Sequence, residues 1–138
     1  MKPWHTKRLP ARPDAVAPDG SDVRVLLALE GGSMAHFQLA PGQTSAAVAH
    51  RTVEEIWFVL SGRGEMWRKR GEVEEVVLLE AGICLTIPQG TRFQFRCLDG
   101  GRDENAPLAA VAITMPPWPG EGEAYPVAGR WTATIEAS

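Results

Sequence analysis

Turn-forming residues interrupt this chain at short intervals and limit what it can fold into. Its 138 residues include 14 glycines and 11 prolines, which recur in clusters about every eight to twelve residues. Between the clusters lie short runs rich in β-branched and aromatic residues: 23–29, 33–39, 46–50, 56–60, 63–69, 73–79, 83–87, 92–98 and 108–115. No segment keeps the 3.6-residue apolar period of a helix. The pattern predicts an all-β sandwich or barrel of about eight or nine short strands.

Composition and charge exclude several classes of protein. Hydrophobic residues make up 44% of the chain and charged residues 22%, as in globular rather than disordered proteins. The net charge of −3 argues against nucleic acids and membranes as partners, since both select a concentrated positive patch. No apolar run approaches the ~18 residues that span a bilayer, and the first residues lack the apolar core of a secretory signal. We therefore expect a cytoplasmic protein in which Cys84 and Cys97 are thiols.

The chain divides by composition into three parts. Residues 1–22 contain four prolines and read as an extended arm, whereas residues 23–115 carry the predicted strands and a polar loop at 99–107. Residues 116–138 form a tail in which Trp118, Tyr125 and Trp131 lie among prolines and glycines. Because exposed aromatic side chains at this density favour aggregation, we expect the tail to pack on the barrel or on a second subunit.

Two stretches of the chain carry spaced motifs. The first motif reads G-x5-H-x-H-x3,4-E-x6-G and the second G-x5-P-x-G-x2-H-x3-N. The matching positions are Gly42, His50, Glu55 and Gly62 in the first stretch, and Gly82, Pro88 and Gly90 in the second. In this the chain resembles the cupin superfamily over about residues 23–115. The resemblance implies a double-stranded β-helix, a jelly-roll barrel with extended terminal arms, and positive φ or close backbone approach at Gly62, Gly82 and Gly90.

The departures from the motifs concern the metal ligands that the resemblance would imply. Members of the family commonly hold a metal with three histidines and one glutamate. Here Val48 and Phe93 occupy two histidine positions, and Cys97 occupies the asparagine position. His50 and Glu55 remain, which is fewer than the three or four protein ligands that transition metals usually take. We expect no tightly bound metal; a divalent transition metal, if bound at all, would be held weakly by His50 and Glu55.

The resemblance also implies which side chains face the barrel interior. Phe37 would point inward, which would leave His36 on the surface or towards a second sheet. The predicted pocket residues are Phe37, Leu39, Val48, Trp57, Phe93, Phe95, Ile113 and Met115, with Arg92 at the mouth. Such a wall suits a small, largely apolar molecule. The alternative is an ordinary barrel core in which His50 and Glu55 hydrogen-bond to each other.

Three functions remain open from the sequence. The first is a binding protein for a small, largely apolar organic ligand. The second is a proton-transfer isomerase, epimerase or lyase with His50 as base and Glu55 as its orienting group. The third is a sugar-binding protein that uses Arg92 with the amides of Gln38 and Gln94. By resemblance to small cupins we also expect a homodimer, built through sheet edges and exchanged terminal strands that protect the edge strand at 23–29.

Overall fold

The computed structural model describes residues 3–98 and 106–136. The described residues form strands and turns, which confirms the all-β prediction. The strands are β1 (Ala15–Val16), β2 (Asp22–Leu29), β3 (Gly32–Leu39), β4 (Val48–His50), β5 (Glu54–Ser61), β6 (Arg63–Arg70), β7 (Val73–Glu80), β8 (Cys84–Ile87), β9 (Arg92–Cys97), β10 (Leu108–Met115) and β11 (Ala124–Pro126). Most of the predicted polar loop at 99–107 lies outside the described residues. Within them, no helix has the length and apolarity needed to cross a membrane.

The strands form two antiparallel sheets that face each other. One sheet has six strands in the order β1-β2-β3-β10-β5-β8, and the other has five in the order β11-β4-β9-β6-β7. Strands far apart in sequence are therefore neighbours: β10 lies between β3 and β5, and β9 lies between β4 and β6. This crossing of the chain between two sheets is the jelly-roll arrangement.

Side-chain alternation sends half of each strand into the space between the sheets. On β5, Glu55, Trp57 and Val59 are buried, while Ile56 and Phe58 are exposed on the outer face. Buried side chains of both sheets pack together into one apolar core. Because the period of a strand is two, the chain needs only alternate apolar residues to close this core.

The motif glycines lie in the backbone conformations that the resemblance implies. Gly62, Gly82 and Gly90 have φ values of +80°, +93° and +78°, a region that side chains with a Cβ atom avoid. Gly62 has a second constraint, since a Cβ atom there would lie 2.5 Å from the carbonyl oxygen of Pro107. Tight turns and close backbone approach thus explain why glycine stands at these positions.

The N-terminal arm is part of the six-stranded sheet. Strand β1 pairs with β2, with Ala15 opposite Val23, so the arm itself covers part of the β2 edge. This corrects the expectation that a second subunit protects that edge.

Arg24 anchors the arm to the outer face of the same sheet. Its side chain donates hydrogen bonds to the carbonyl oxygens of Pro10 and Ala11 and to Gln38 Oε1. His36, opposite Arg24 across the β2–β3 pair, faces away from the interior as expected. It is nevertheless buried, with 4% of its surface exposed, so its predicted surface position is wrong. Burial and the nearby Arg24 charge lower the pKa of His36.

The C-terminal tail packs on its own barrel. Strand β11 pairs with β4 at the edge of the five-stranded sheet, and the guanidinium of Arg96 lies 4.2 Å from the ring centre of Trp131. Gln94 fastens the same segment, because its amide donates to the carbonyl of Trp131 and accepts from the backbone N–H of Arg130 and of Trp131. Of the two placements predicted for the tail, packing on the barrel is the one observed.

Candidate functional site

A cavity of about 370 Å³ lies between the two sheets. Its wall is mainly apolar, and it includes six residues that the sequence singled out: Phe37, Val48, His50, Glu55, Trp57 and Phe93. The rings of Phe37 and Trp57 stack almost parallel, with centroids 5.3 Å apart. Val16 and Val25 also line the cavity and are more than half exposed, so the cavity opens to solvent beside β1 and β2.

Other predicted pocket residues lie elsewhere. Leu39 and Phe95 belong to the closed core rather than to the cavity wall. The expectation that Ile113 and Met115 line the pocket needs correcting, because β10 turns Thr114 inward and they alternate with it. Both faces of this central strand are apolar, so hydrophobicity could not distinguish inside from outside.

Arg92 does not lie at the mouth of this cavity. It is exposed on the outer surface of the five-stranded sheet, near Lys69, Glu74 and Arg130. Alternation on β9 explains the correction, since Phe93 points inward and its neighbour Arg92 therefore points outward.

Three consecutive segments position His50 and Glu55 side by side. His50 ends β4, residues 51–53 form a tight turn, and Glu55 is the second residue of β5. The carboxylate of Glu123 holds this turn, because Oε1 accepts hydrogen bonds from the Thr52 hydroxyl and from the backbone N–H of Thr52 and Val53, the latter two at 2.8 Å. Burial alone would raise the pKa of Glu123, but these hydrogen bonds and nearby His50 lower it overall.

His50 and Glu55 approach each other without a direct hydrogen bond. His50 Nδ1 lies 3.7 Å from Glu55 Oε1, beyond hydrogen-bonding distance. Trp57 Nε1 donates to the same Oε1 atom at 3.3 Å, whereas the buried Nδ1 atom has no partner in the described part of the chain. The alternative in which the two side chains satisfy one another is therefore wrong, and Nδ1 is available to a ligand.

Burial controls the protonation of both groups. Desolvation lowers the pKa of His50 to about 4, outweighing the opposing effect of Glu123. Desolvation also raises the pKa of Glu55 to about 8, with a smaller contribution from Asp19 in the same direction and an opposing one from the Trp57 hydrogen bond. At neutral pH both side chains are therefore mainly uncharged, with His50 able to accept a proton and Glu55 able to donate one.

Asp19 is a cavity residue that the sequence argument missed. It precedes β2 in the predicted arm, yet it lines the cavity and only 4% of it is exposed. Ser21 donates both its backbone N–H and its hydroxyl to Asp19 Oδ1. Burial raises the pKa of Asp19 although these hydrogen bonds lower it. Its one sequence signal is an acidic residue in a Pro-Asp-Gly-Ser turn, which is more often found on a surface.

The C-terminal segment also contributes to the wall. Trp118 lines the cavity, and its ring meets that of His50 edge to face, with centroids 5.2 Å apart. The second T-shaped neighbour of His50 is Phe93, also at 5.2 Å. His50 is thus held between two aromatic rings, which fixes the imidazole while leaving Nδ1 unpaired.

The donor set does not fit a resident metal ion. Val48 and Phe93 stand at two ligand positions of the motif and face each other across the β4–β9 pair. Both are almost fully buried, so the space beside His50 and Glu55 is lined with carbon. Within residues 3–98 and 106–136, no group of three or more histidine, cysteine, aspartate or glutamate side chains is arranged to hold a metal ion.

The protonation of Glu55 predicts a pH dependence of stability. Above pH 6.5 an unfolded Glu55 is ionised, whereas the folded one keeps its proton up to about pH 8. The folded state therefore binds more protons, and the free energy of unfolding should fall by about 2 kcal/mol between pH 6.5 and 8. Below pH 6.5 the lowered pKa of His50 acts in the opposite sense, because the unfolded imidazole binds a proton there and the folded one does not. The decrease due to Glu55 is therefore clearest above pH 6.5.

Urea denaturation at pH 6.5 and 8.5 measures this decrease. Glu55→Gln should abolish most of it, while Glu54→Gln, a change at the exposed neighbouring carboxylate, should leave it in place. An equal decrease in the wild type and in Glu55→Gln would show that Glu55 is not the group responsible.

Comparison with known proteins identifies the family. A family model described as a cupin domain matches residues 35–103, half of the chain. No curated protein sequence matches the chain.

Solved structures match the fold at low sequence identity. A Klebsiella pneumoniae protein with a double-stranded β-helix domain is 21% identical, with a TM-score of 0.63 over 86% of this chain and 90% of that one. A variant of Streptomyces PAC13 with uridine is 14% identical, with a TM-score of 0.66 over 90% and 92%. KdgF from a Halomonas species is 14% identical, with a TM-score of 0.60 over 75% and 85%. Together with the motifs and the two-sheet architecture, these matches show that the chain belongs to the cupin family.

Proposed function

We propose that this cupin binds a small, largely apolar organic molecule inside the barrel and does so without a tightly held metal. The observation that carries the proposal is the cavity of about 370 Å³ with its mainly apolar wall. Its volume falls within the range typical of small-molecule sites, and a few convergent polar groups are the usual source of orientation in such sites. Here those groups are Asp19, His50 and Glu55.

The sugar-binding alternative loses the residues on which it depended. Gln94 uses its amide to hold the C-terminal tail, and Gln38 accepts a hydrogen bond from Arg24. Arg92 lies on the outer surface. A sugar would therefore meet an apolar wall with few donors, which disfavours a ligand rich in hydroxyl groups.

A panel of small molecules tests the binding proposal. Thermal unfolding should shift upward with benzyl-type aromatic compounds and remain unchanged with monosaccharides, because only the former bury apolar surface. Ala35→Phe, which fills the cavity from β3, should remove the shift. Ala81→Phe places the same ring in an exposed turn and serves as the matched control, for which the shift should persist.

Metal content is measured on the same preparations. Protein purified without added metal should contain well under one equivalent of zinc, manganese, iron or nickel by elemental analysis, and a chelator should not change the ligand-induced shift. A stoichiometric metal, or shifts produced by sugars alone, would contradict the proposal.

A second candidate function is proton transfer, with the cavity as an active site. The observation that favours it is the pairing of an uncharged His50, whose Nδ1 is unpartnered within the described residues, with a protonated Glu55 3.7 Å away. Two titratable groups with pKa values pushed apart by their environment are typical of acid–base pairs. Isomerisation, epimerisation or elimination next to a carbonyl group would suit such a pair.

Deuterium exchange tests this candidate without knowledge of the substrate. Small aryl ketones with exchangeable α-hydrogens should incorporate deuterium from D₂O faster with the wild type than with buffer, as followed by NMR. His50→Ala and His50→Gln should reduce the exchange by about 10²-fold or more, whereas His36→Ala, at the buried histidine outside the cavity, should not. Equal exchange rates in wild type and His50 variants would contradict a catalytic role.

We also propose a homodimer, formed through a face of the sheet rather than through its edges. On the outer face of the six-stranded sheet, Met34, Ile113 and Ile56 are cross-strand neighbours, and Val111 lies beside Phe58. Met34, Ile56 and Phe58 are 37–46% exposed. A contiguous apolar band of this kind is typical of an interface, and a second copy presents the same band under twofold symmetry.

Sedimentation at micromolar concentration measures the association. The wild type should sediment as a dimer and Phe58→Glu as a monomer, because a carboxylate in the centre of the band would be buried unpaired. Val73→Glu, at a 76% exposed position of the β6–β7 hairpin, is the control and should remain dimeric. A monomeric wild type would contradict the proposal.

A further inference from the structure

The cavity wall carries acidic groups without basic ones of high pKa. Its ionisable side chains are Asp19, His50 and Glu55, and none of the described residues that line it is a lysine or an arginine. An anionic ligand would be buried beside two carboxyl groups with no positive charge on the wall to balance it. The polar part of a ligand for this cavity is therefore neutral or positively charged.

The polar atoms of the wall are mainly acceptors that lack a strong donor. His50 Nδ1 is buried and has no hydrogen-bond partner in the described part of the chain. Glu55 receives one hydrogen bond of 3.3 Å from Trp57, and Asp19 accepts from Ser21. Leaving buried acceptors unpaired costs free energy, so a ligand gains most by supplying several donors at one point.

The aromatic side chains of the wall favour a positive charge as well. Phe37 and Trp57 stack beside the carboxyl group of Glu55, and Phe93 and Trp118 flank His50. The π-electron faces of such rings attract organic cations. The same rings offer apolar surface to the remainder of a ligand of aromatic size.

We propose that the ligand carries a primary ammonium group on an apolar body, and that Glu55, Asp19 and His50 Nδ1 bind this ammonium group. The inference rests on the proposed function, namely capture of a small, largely apolar molecule in this cavity. An ammonium group has three N–H donors and no acceptor, which matches three acceptors on the wall. A neutral hydroxyl group has a single O–H donor and would leave two of the acceptors unpaired.

Three probes of nearly equal shape test the charge of the ligand: 2-phenylethylamine, 2-phenylethanol and 3-phenylpropanoate, each titrated calorimetrically. The amine should bind about tenfold or more tightly than the alcohol, since charge-assisted hydrogen bonds are about twice as strong as neutral ones. The propanoate should bind more weakly than either. Equal affinities for amine and alcohol, or a preference for the propanoate, would overturn the ammonium proposal while leaving capture of apolar molecules intact.

Variants of the wall locate the binding of the charge. Glu55→Gln and, independently, Asp19→Asn should each weaken the amine about tenfold while changing the affinity for the alcohol by less than about twofold. Glu54→Gln, at the exposed neighbour of Glu55, should change neither affinity. An unchanged amine affinity in both folded cavity variants would overturn the proposal, and failure of all three probes to bind the wild type would overturn the proposed function itself.

Discussion

Exclusion of water between the two sheets determines the state of every polar group in the interior. The same desolvation that joins the strands into one core lowers the pKa of His50 and raises that of Glu55, because a charge loses its hydration there. In water this pair would form imidazole beside carboxylate, or an ion pair at mildly acidic pH. In the barrel it is a neutral pair 3.7 Å apart, and its chemistry is that of hydrogen bonding.

The fold could be predicted further than the site. Strand runs and motif glycines depend on local backbone preferences, which each residue carries with it; Gly62 is an example, with a positive φ and a close carbonyl neighbour. The site depends on which face of each strand is inside, and β10 shows the limit. Its apolar residues lie on both faces, so Thr114 rather than Ile113 reaches the cavity. The short strands β1 and β11 were missed because pairing, not composition, defines them.

Both terminal segments complete the cavity that the central motifs begin. Asp19 and Trp118 come from outside the 35–103 range matched by the family model. The Asp19 segment is fixed to the barrel by a backbone hydrogen bond of 2.8 Å from Ala46 to the Asp19 carbonyl. Glu123 fixes the turn between His50 and Glu55 from the other end of the chain. Residues that vary freely at the ends of a barrel can therefore change its ligand while the strands stay the same.

Replacement of ligand residues by carbon changes what the site can select. With Val48 and Phe93 facing each other across two strands, the space beside His50 becomes an apolar wall, and coordination no longer sets the geometry of the ligand. Recognition then depends on shape and on a few hydrogen bonds, each worth about 1 kcal/mol when neutral and more when charged. A neutral histidine–glutamic acid pair contributes little to discrimination by itself. The additional carboxyl group of Asp19 gives the wall an acidic character, so the selectivity of this barrel depends on a residue outside the motifs.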